Sequence, residues 1–469
     1  MRMDYTQITP QQRDRMLQAV GAMDMADLLR QVPDEIRLKA PLKLPPAMDE
    51  MALREHLTEL ARKNRTIEEQ VCFLGAGAYD HFIPAVVDQI ASKGEFVTAY
   101  TPYQAEASQG SLQAFFEFQT MICQITGMDV ANASLYEGAS ALAEAVLMAI
   151  NITGKRLVLV SRGVHPQYRQ VLRTYLADLP VGYIEVPLKN GVTDAQALED
   201  AFEADTAAVV VQSPNFLGLL ERVEHIAKYA HAERSLCIQA FNPLSLGIVK
   251  HPGEMDVDIA AGEGQPLGMP LGFGGPYLGL LATKAPYMRK LPGRLVGQTV
   301  DAEGRRAFCL TLQTREQHIR REKATSNVCT NQGLMALRAS VYLAAMGPQG
   351  LRQVAQLCHD KASYLASRLR SAGLGLKFAD QPFFNELLVE VKQPVDQVLA
   401  SARERGILAG YAVGQDYPEL GDCLLIAVTE KRTKEQIDRL TAALAQSAPM
   451  GRARSDPDED HFVAQDLLE

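Results

Sequence analysis

The sequence lacks the features that mark three common classes of protein. It has no excess of basic residues: 47 Lys and Arg stand against 56 Asp and Glu, and the net charge of −9 argues against a nucleic-acid-binding surface. No segment approaches the roughly 20 apolar residues of a membrane helix. The polar residues 1–12 lack the apolar core of a secretory signal peptide. These absences predict a cytoplasmic protein without nucleic-acid or membrane partners.

The cysteines also lack a pattern. The seven cysteines are scattered, mostly within apolar segments, and no two of them form a C-x-x-C pair. An odd and scattered set predicts free thiols in a reducing compartment. Neither a disulfide framework nor a structural metal site is expected from this spacing.

The 469 residues divide into four predicted pieces. Residues 1–65 carry helical patterns that prolines interrupt repeatedly, which predicts an arm that wraps a neighbour. In residues 66–330 apolar strands alternate with amphipathic helices, which predicts a large α/β domain with a mostly parallel sheet covered on both faces. Residues 331–447 predict a connecting helix and a smaller α+β domain, and residues 448–469 a charged tail.

The predicted parallel sheet indicates where a site would lie. In such sheets ligands bind beyond the carboxyl ends of the strands. This rule places residues 161–165, 213–215 and 241–243, each of which directly follows a predicted strand, beside any site. A fourth segment, G-A-G-A-Y-D at residues 75–80, lacks the third glycine of a dinucleotide fingerprint and predicts a tight turn over a neighbouring segment.

A glycine-rich loop lacks the residue that its surroundings predict. Residues 261–275 have the sequence A-G-E-G-Q-P-L-G-M-P-L-G-F-G-G between two apolar strands. This setting is typical of a loop whose lysine holds an aldehyde cofactor, and Gln265 occupies the position expected for that lysine. An amide is neither basic nor nucleophilic, so Gln265 cannot form a Schiff base. The sequence therefore predicts half of an enzyme, with the covalent chemistry left to a partner.

Residues 311–330 are rich in cationic and hydrogen-bonding side chains. A charge run of this kind favours either a solvated helix face or an anion-binding or interface role, because hydroxyls directly after basic residues suit a phosphate or a carboxylate. The candidates in this segment are Arg315, His318, Thr325, Ser326 and Asn327.

Residues 98–110 form a second candidate segment, a turn-rich loop that carries Tyr100 and Tyr103. Tyrosines on a loop bent by proline suit substrate contact, and they equally suit aromatic packing at an interface.

Seven blocks of sequence occur in a fixed order along the chain. The blocks are R-L-K-A-P-L-K-L-P-P-A at 37–47, F-L-G-A-G-A-Y-D-H-F-I-P-A at 73–85, Y-T-P-Y-Q-A-E-A-S-Q-G at 100–110, A-N-A-S-L-Y-E-G-A-S-A at 131–141, G-E-G-Q-P-L-G at 262–268, P-G-R-L-V-G at 292–297 and L-Q-T-R-E-Q-H-I-R-R-E-K-A-T-S-N at 312–327. With these blocks the chain resembles, over nearly its whole length, the glycine cleavage system P-protein family, in particular the alpha subunit of its split form. The charged tail has no counterpart in that resemblance.

The resemblance implies the aminotransferase-like fold of fold type I pyridoxal-phosphate enzymes. It also implies that the cofactor lysine belongs to the beta subunit, and that Gln265 stands at its counterpart position. Gln239 falls where such enzymes place the aspartate that keeps the pyridine nitrogen protonated, and an amide has no charge to do so. Pyridoxal phosphate is therefore expected on the partner subunit, and this chain alone is expected to be inactive.

The resemblance further implies a reaction and its partners. The complex would act as glycine dehydrogenase (aminomethyl-transferring), which decarboxylates glycine and passes the aminomethyl group to the lipoyl arm of H-protein. This chain is expected to contribute side chains to the partner's active site. Tyr100 and Tyr103 would form a pocket wall, and Thr325, Ser326 and Asn327 would donate hydrogen bonds near the partner's phosphate. Arg315 and His318 would make carboxylate or interface contacts.

Two alternatives stay open at this point. One is a pyridoxal-phosphate enzyme that uses a different lysine, Lys284 or Lys323. The other is a non-catalytic protein of the same fold that binds an acidic metabolite, because fold alone does not determine function.

Overall fold

The structure, a computed structural model, describes residues 8–38, 40, 42–98, 100–324 and 326–446. The chain divides into two compact units, one that ends at Arg65 and one that begins at Thr66. The predicted tail from residue 448 onward lies outside the described residues. Within the described part, no helix is long and apolar enough to cross a membrane.

The first unit has two helices, α1 (Pro10–Ala19) and α2 (Glu50–Ala61), with largely irregular chain between them. Thr9 begins α1 through a capping box, and the Asp49 carboxylate caps α2. Leu17 is the only buried apolar residue among the described residues of this unit. So little burial does not offset the entropy of ordering the chain. The prediction that this arm wraps a neighbour remains a prediction.

Helices and strands alternate through the second unit, as the sequence predicts. The helices are α3 (Ala85–Ala91), α4 (Gly94–Val97), α5 (Gln109–Thr126), α6 (Gly138–Thr153), α7 (Pro166–Leu176), α8 (Ala195–Asp200), α9 (Val223–Ala232), α10 (Gln317–Arg320), α11 (Gly333–Ser371), α12 (Val395–Glu404) and α13 (Lys434–Gln446). The strands are β1 (Val71–Cys72), β2 (Val130–Ala131), β3 (Leu157–Ser161), β4 (Gly182–Val186), β5 (Leu188–Lys189), β6 (Val192–Thr193), β7 (Thr206–Gln212), β8 (Leu236–Phe241), β9 (Ile259–Glu263), β10 (Gly279–Thr283), β11 (Leu295–Val300), β12 (Arg306–Thr311), β13 (Gly375–Leu376), β14 (Glu386–Glu390), β15 (Ile407–Leu408), β16 (Tyr411–Ala412) and β17 (Cys423–Ala427).

The main sheet has seven strands in the order β2-β10-β9-β8-β7-β3-β4. Strand β10 runs antiparallel to both of its neighbours, and the five strands from β9 to β4 are parallel to one another. The central strands β3, β8 and β9 are buried along their whole length, as expected when helices cover both faces of a sheet. The predicted α/β class with a mostly parallel sheet is confirmed.

Two hydrophobic cores lie on the two faces of this sheet. One joins the sheet to α6 and α7, and the other joins it to α5, α9 and α11 as far as Cys358. Helix α6 has the sequence G-A-S-A-L-A-E-A-V-L-M-A-I-N-I-T, and most of its residues are buried. Its many alanines allow the helix axis to lie close to the strands, which brings its N-terminus to the carboxyl edge of the sheet.

A second sheet, β13-β14-β17-β16, is antiparallel and packs with α12, α13 and the second part of α11. Helix α11 is interrupted at Gly347, where φ is 62°, and continues from Pro348. Before the break Tyr342 belongs to the main core, and after it Leu365 belongs to the core of the second sheet. One interrupted helix thus connects the two cores.

Residues 407–412 are strand-like in sequence but do not form one strand. Strand β15 pairs with β1, and β16 pairs with β17. Gly410 separates them with φ of 150°, and a Cβ at this position would lie 2.6 Å from the Leu425 carbonyl oxygen. The close approach of two backbones, which only glycine permits here, divides the segment.

Candidate functional site

The segments that follow β3, β7, β8 and β9 meet at the carboxyl edge of the main sheet. With residues 75–79 and the start of β14, they enclose a cavity of about 30 Å³, the sheet-edge cavity. It is lined by Gly77, Tyr79, His165, Tyr168, Gln212, Pro214, Ala240, Phe241, Asn242, Glu263, Pro266, Asn385 and Glu386. The prediction that the segments after these strands converge is confirmed. A volume of this size has room for about one or two water molecules, so the cavity is too small for a metabolite.

Gln265 is buried next to this cavity, and its side-chain amide is fully hydrogen-bonded. The amide oxygen accepts from the Tyr79 backbone N–H at 2.9 Å. The amide nitrogen donates to the Tyr79 carbonyl oxygen at 3.0 Å and to the Met269 carbonyl oxygen at 2.9 Å. The Gln265 amide therefore joins the segment that contains Tyr79 to its own loop, as a backbone amide group would. Neither the oxygen nor the nitrogen of this side chain is left to take part in catalysis.

The side-chain amide of Gln239, in contrast, is only partly hydrogen-bonded. Its side chain is buried in β8, its amide nitrogen donates to the Ser213 carbonyl oxygen at 3.4 Å, and its amide oxygen has no hydrogen-bond partner among the described residues. A buried polar atom without a partner is costly. The position is uncharged, so it supplies no anion to a pyridinium ring.

The N-terminus of α6 is occupied by two carboxylates. Glu137 accepts hydrogen bonds from the backbone N–H groups of Ala139 at 2.6 Å and Ser140 at 2.9 Å. Glu263, at the end of β9, accepts from the Gly138 N–H at 2.9 Å. The first N–H groups of a helix are where a phosphate group binds favourably. Here the protein's own carboxylates already use those donors.

Burial raises the pKa of Glu263 to about 7, although Glu263 accepts three backbone N–H groups. Glu386, at the start of β14, has its pKa raised to about 7 for the same reason. Its carboxyl group binds the Ala76 N–H at 2.8 Å and the Tyr79 hydroxyl at 2.9 Å. Glu386 thus attaches the glycine-rich segment at residues 75–79 to the second sheet.

His165 fills the remaining side of the cavity. Its ring stacks on Tyr168 with centroids 4.7 Å apart. Nε2 lies 2.8 Å from the Ala76 carbonyl oxygen, and Nδ1 accepts from the Gln167 N–H at 3.1 Å. A ring with one donor and one acceptor position is neutral, in agreement with the burial that lowers the pKa of His165.

Pyridoxal phosphate, the cofactor that the fold implies, does not fit this chain's own site. Gln265, which the resemblance predicts at the lysine position, is a fully bonded amide, and Gln239, which it predicts at the position of the ring-nitrogen partner, is uncharged. Carboxylates repel a phosphate at the helix N-terminus, and the sheet-edge cavity of about 30 Å³ has no room for the ring.

The alternative lysines are not suited to the role either. The Lys284 ammonium binds Asp256 at 2.6 Å and Asp258 at 3.0 Å, and hydrogen bonds to these carboxylates raise its pKa despite burial. A Schiff base requires the neutral amine, which this pairing disfavours. Lys323 is exposed in a short 3₁₀ turn and lines no described cavity of the site.

The structure places the predicted tyrosines at the surface. Tyr100 is 78% exposed and Tyr103 is 77% exposed, and their ring centroids lie 6.4 Å apart. Neither lines the sheet-edge cavity. His318 is exposed beside Glu316, with 3.6 Å between imidazole nitrogen and carboxylate oxygen. The Arg315 side chain lies outside the described part of the chain.

Of the three predicted phosphate donors, Thr325 lies outside the described residues. The Ser326 hydroxyl hydrogen-bonds the Glu144 carboxyl group, whose pKa is raised to about 7 by burial. It also accepts from the Val328 N–H at 3.0 Å. Asn327 is exposed. Ser326 thus ties this segment to α6, and Asn327 is free to reach outward.

Sequence reasoning missed the acidic residues of the site. Glu263 ends the apolar strand β9, Glu386 begins β14 just before three apolar residues, and Asp80 follows the predicted turn. A carboxylate next to a buried apolar strand was the available signal. Their partners lie far away in sequence, so the sequence alone could not show what each carboxylate binds.

Replacing Glu386 by glutamine is expected to flatten the pH dependence of stability. Because the pKa is raised from 4.5 to about 7 in the folded state, the stabilisation is complete below pH 4.5 and is lost as the pH rises through 7. Glutamine mimics the protonated carboxyl group, so the wild type should lose about 3 kcal/mol more than Glu386→Gln across this range. Urea unfolding at pH 5 and pH 8 measures the difference.

The control for this prediction is Glu404→Gln, at an exposed position of α12, which should follow the wild type at both pH values. Equal losses in the wild type and in Glu386→Gln would contradict the assignment.

Two larger hollows of about 680 and 660 Å³ lie elsewhere and share no lining residue with the sheet-edge cavity. The first is lined by charges of both signs, among them Lys189, Glu199 and Arg222. The second has an apolar floor that includes Ile248 and Phe384.

The fold and the site define the class of protein first. The chain has the fold of pyridoxal-phosphate enzymes of fold type I, although it lacks their lysine. It superposes on a sphingosine-1-phosphate lyase of Burkholderia pseudomallei with a TM-score of 0.64 at 15% identity, covering 89% of this chain and 94% of the other. A NifS-like protein gives a TM-score of 0.59 at 12% identity, over 80% of this chain and 98% of the other. At such identities the likeness shows the fold alone.

Closer similarities identify the family. The family model of the glycine cleavage system P-protein matches residues 3–444. A protein of Geobacillus kaustophilus named probable glycine dehydrogenase (decarboxylating) subunit 1 is 51% identical over 440 residues, which cover 94% of this chain and 98% of the relative. A protein of the same name from Carboxydothermus hydrogenoformans is 50% identical over 442 residues, with coverage of 94% and 99%.

A crystal structure of a glycine decarboxylase (P-protein) of the glycine cleavage system, in inhibitor-bound form, is 46% identical. It superposes with a TM-score of 0.88 over 95% of this chain and all of the other. The chain belongs to the glycine cleavage system P-protein family.

Proposed function

We propose that this chain is the subunit without the cofactor lysine in a two-subunit glycine cleavage P-protein, and that a second subunit carries pyridoxal phosphate. The observation that carries the proposal is the fully bonded Gln265 amide at the lysine position. The name "subunit 1" of the relatives supports a second subunit. The assembly would decarboxylate glycine and transfer the aminomethyl group to lipoylated H-protein in the cytoplasm.

The pyridoxal phosphate of the second subunit supplies an electron sink for the loss of carbon dioxide. This chain contributes walls that exclude water and hold the substrate in place. Tyr100 and Tyr103 support the wall role, because they are large, exposed side chains on a proline-bent loop. Thr325, Ser326 and Asn327 remain proposed as donors near the partner's phosphate. Among them exposed Asn327 supports the role best, since Ser326 is bonded to Glu144.

Arg315 and His318 remain proposed for carboxylate or interface contacts, and exposed His318 is free for either role. The rival function, a binding protein for an acidic metabolite, finds no support at the sheet-edge cavity. A volume of about 30 Å³ is too small for such a ligand.

The loop after Gln265 provides an exposed apolar anchor for the proposed partner. Phe273 is 95% exposed and has φ of 56°, and glycines on both sides and Pro276 shape its loop. Phe82, which follows the segment bonded by Gln265, is 61% exposed. A large aromatic side chain held out in water is typical of an interface hot spot.

Co-expression with the proposed second subunit, followed by affinity capture of this chain, tests the proposal. The expected result is a captured second subunit whose own lysine retains the cofactor after borohydride reduction. Phe273→Asp should weaken the association by about 2–4 kcal/mol without lowering the stability of the isolated chain. Titration calorimetry measures the association, and Leu179→Asp, at another exposed apolar position, is the matched control.

Capture of this chain alone, with the cofactor reduced onto one of its own lysines, would contradict the proposal. Equal affinities of Phe273→Asp and the wild type for the second subunit would remove Phe273 from the interface while leaving the subunit assignment intact.

The tyrosine loop has its own expected result in the assembled complex. Tyr100→Ala and Tyr103→Ala should lower kcat/KM for glycine by about 10- to 100-fold, because a wall that excludes water is lost. Tyr100→Phe and Tyr103→Phe keep the wall and should stay within a few-fold of the wild type. Steady-state decarboxylation with fixed H-protein measures these values. Unchanged kcat/KM in both alanine variants would remove the loop from the active site.

A further inference from the structure

Three potential metal ligands from distant parts of the chain lie close together in the interior of the second unit. They are His81, Cys358 on α11 and Glu430 directly after the second sheet, and their ligand atoms all lie within 4.8 Å of one another. His81 Nδ1 lies 2.7 Å from Glu430 Oε2, and Cys358 Sγ lies 3.4 Å from the same oxygen. The sequence predicted no metal site, because these separations match no spacing pattern.

The cluster is buried, and a polar atom near it lacks a partner. The His81 side chain is 3% exposed, that of Glu430 is 10% exposed, and Cys358 is fully buried. The Tyr342 hydroxyl has no hydrogen-bond partner among the described residues. Tyr342 lies within electrostatic range of both Glu430 and Cys358. A buried polar atom without a partner indicates a bound water or ion that completes the site.

We propose that His81, Cys358 and Glu430 bind one zinc ion, with the fourth position taken by water or by the Tyr342 hydroxyl. One imidazole nitrogen, one thiolate and one carboxylate form a donor set that suits zinc rather than magnesium or calcium, which prefer oxygen alone. The two anionic ligands balance the two positive charges of the ion, so the buried complex is neutral.

The two donor separations that involve Glu430 are close to those of a tetrahedral site, and the third, between His81 and Cys358, is at most 4.8 Å. Zinc bonds of about 2.0–2.3 Å place neighbouring ligand atoms about 3.3–3.7 Å apart. The Cys358–Glu430 separation already meets this range, and the His81–Glu430 pair needs to open by about 0.6 Å. Glu430 is held in place from outside the cluster, because its Oε1 accepts from the Phe82 N–H at 2.6 Å.

Such an ion would join three segments of the chain, because Cys358 lies 277 residues after His81 and Glu430 lies 72 residues after Cys358. His81 belongs to the segment that Gln265 and Glu386 also bind, Cys358 belongs to the second part of α11, and Glu430 follows β17. A structural zinc ion adds its binding free energy to folding. The second described cluster, Glu390, Asp422 and Cys423, carries no such inference, because Lys377 already neutralises Glu390 at 2.5 Å.

Cobalt(II) substitution tests the site in the full-length protein after dialysis against a chelator. The wild type should bind one cobalt per chain and show a thiolate-to-cobalt charge-transfer band, and zinc should displace the cobalt. Cys358→Ser keeps the side-chain size and should lose the band, and Glu430→Gln should weaken binding at least 10-fold. Cys329→Ser, at an exposed position, and Cys423→Ser, in the second cluster, are the matched controls and should retain the band.

A wild-type protein without the charge-transfer band, or a band that survives in Cys358→Ser, would overturn the assignment. Circular dichroism and urea unfolding of each variant separate loss of the site from loss of the fold. Zinc should also raise the thermal midpoint of the wild type more than that of Glu430→Gln at the same zinc concentration. This second measurement decides the question if Cys358→Ser does not fold.

Discussion

Replacing Gln265 by lysine is expected to destabilise the protein by about 3–5 kcal/mol and still leave it without pyridoxal phosphate. Lysine can donate to the Tyr79 and Met269 carbonyl oxygens, but it has no acceptor for the buried Tyr79 N–H. It also places an ammonium group in a buried site. Because the helix N-terminus and the sheet-edge cavity are unchanged, the new amine gains no cofactor to react with.

Urea unfolding measures the loss of stability, and absorbance after addition of pyridoxal phosphate and borohydride measures Schiff-base formation. Gln353→Lys makes the same substitution at an exposed position of α11 and should change stability by less than 0.5 kcal/mol or so. Gln265→Glu keeps the acceptor for the Tyr79 N–H and loses both donors. Its effect on stability therefore distinguishes the contribution of the accepted hydrogen bond from that of the two donated ones. A stable and specifically reducible Gln265→Lys variant would show that the site is still competent.

Asp80→Asn should cost about as much, 3–5 kcal/mol, through loss of a buried charge. The Asp80 carboxylate is buried and pairs with Lys431 at 2.5 Å and with Arg432 at 2.7 Å. Arg432 is itself buried, and its Nε already lacks a partner among the described residues. Asparagine has a similar shape but no charge, so the guanidinium would be left buried without an anion.

The unfolding free energy and hydrogen exchange of the Tyr79–Phe82 amides both report this loss. Exchange of these amides should speed up more than that of β8, because Asp80 holds this segment against the second sheet. Asp301→Asn breaks an exposed pair with Arg305 and should cost less than about 1 kcal/mol. If the two substitutions have equal effects, Asp80 does not stabilise the segment as described.

The predictable parts of the fold are those that hydrophobic pattern and strand order determine locally. The all-buried runs of β3 and β7 and the amphipathic α7 and α9 stand in the sequence where the structure has them. Gly410 escaped this reasoning, because its effect comes from the Leu425 carbonyl on another strand. A contact between distant segments leaves no trace in local periodicity.

The same limit applies to the site. Gln265 could be singled out because the glycine-rich composition of its loop is visible in the local sequence. The segments near the site could be predicted because ligands bind beyond the carboxyl ends of parallel strands. That its amide would bond Tyr79, or that Glu263 would bond the Gly138 N–H, depends on how segments far apart in sequence come together. The segments that form the site could be predicted from the sequence, whereas the hydrogen-bond partners of each polar atom could not.

The Gln265 amide also limits what a single substitution could achieve in this chain. Its bonds to Tyr79 and the carboxylates of Glu137 and Glu263 at α6 form one mutually adjusted arrangement. A lysine at position 265 meets the full energetic penalty at once, and any gain from cofactor binding requires the carboxylates and the cavity to change as well. In the proposed two-subunit assembly, a single substitution at this position would therefore not give this chain a cofactor site of its own.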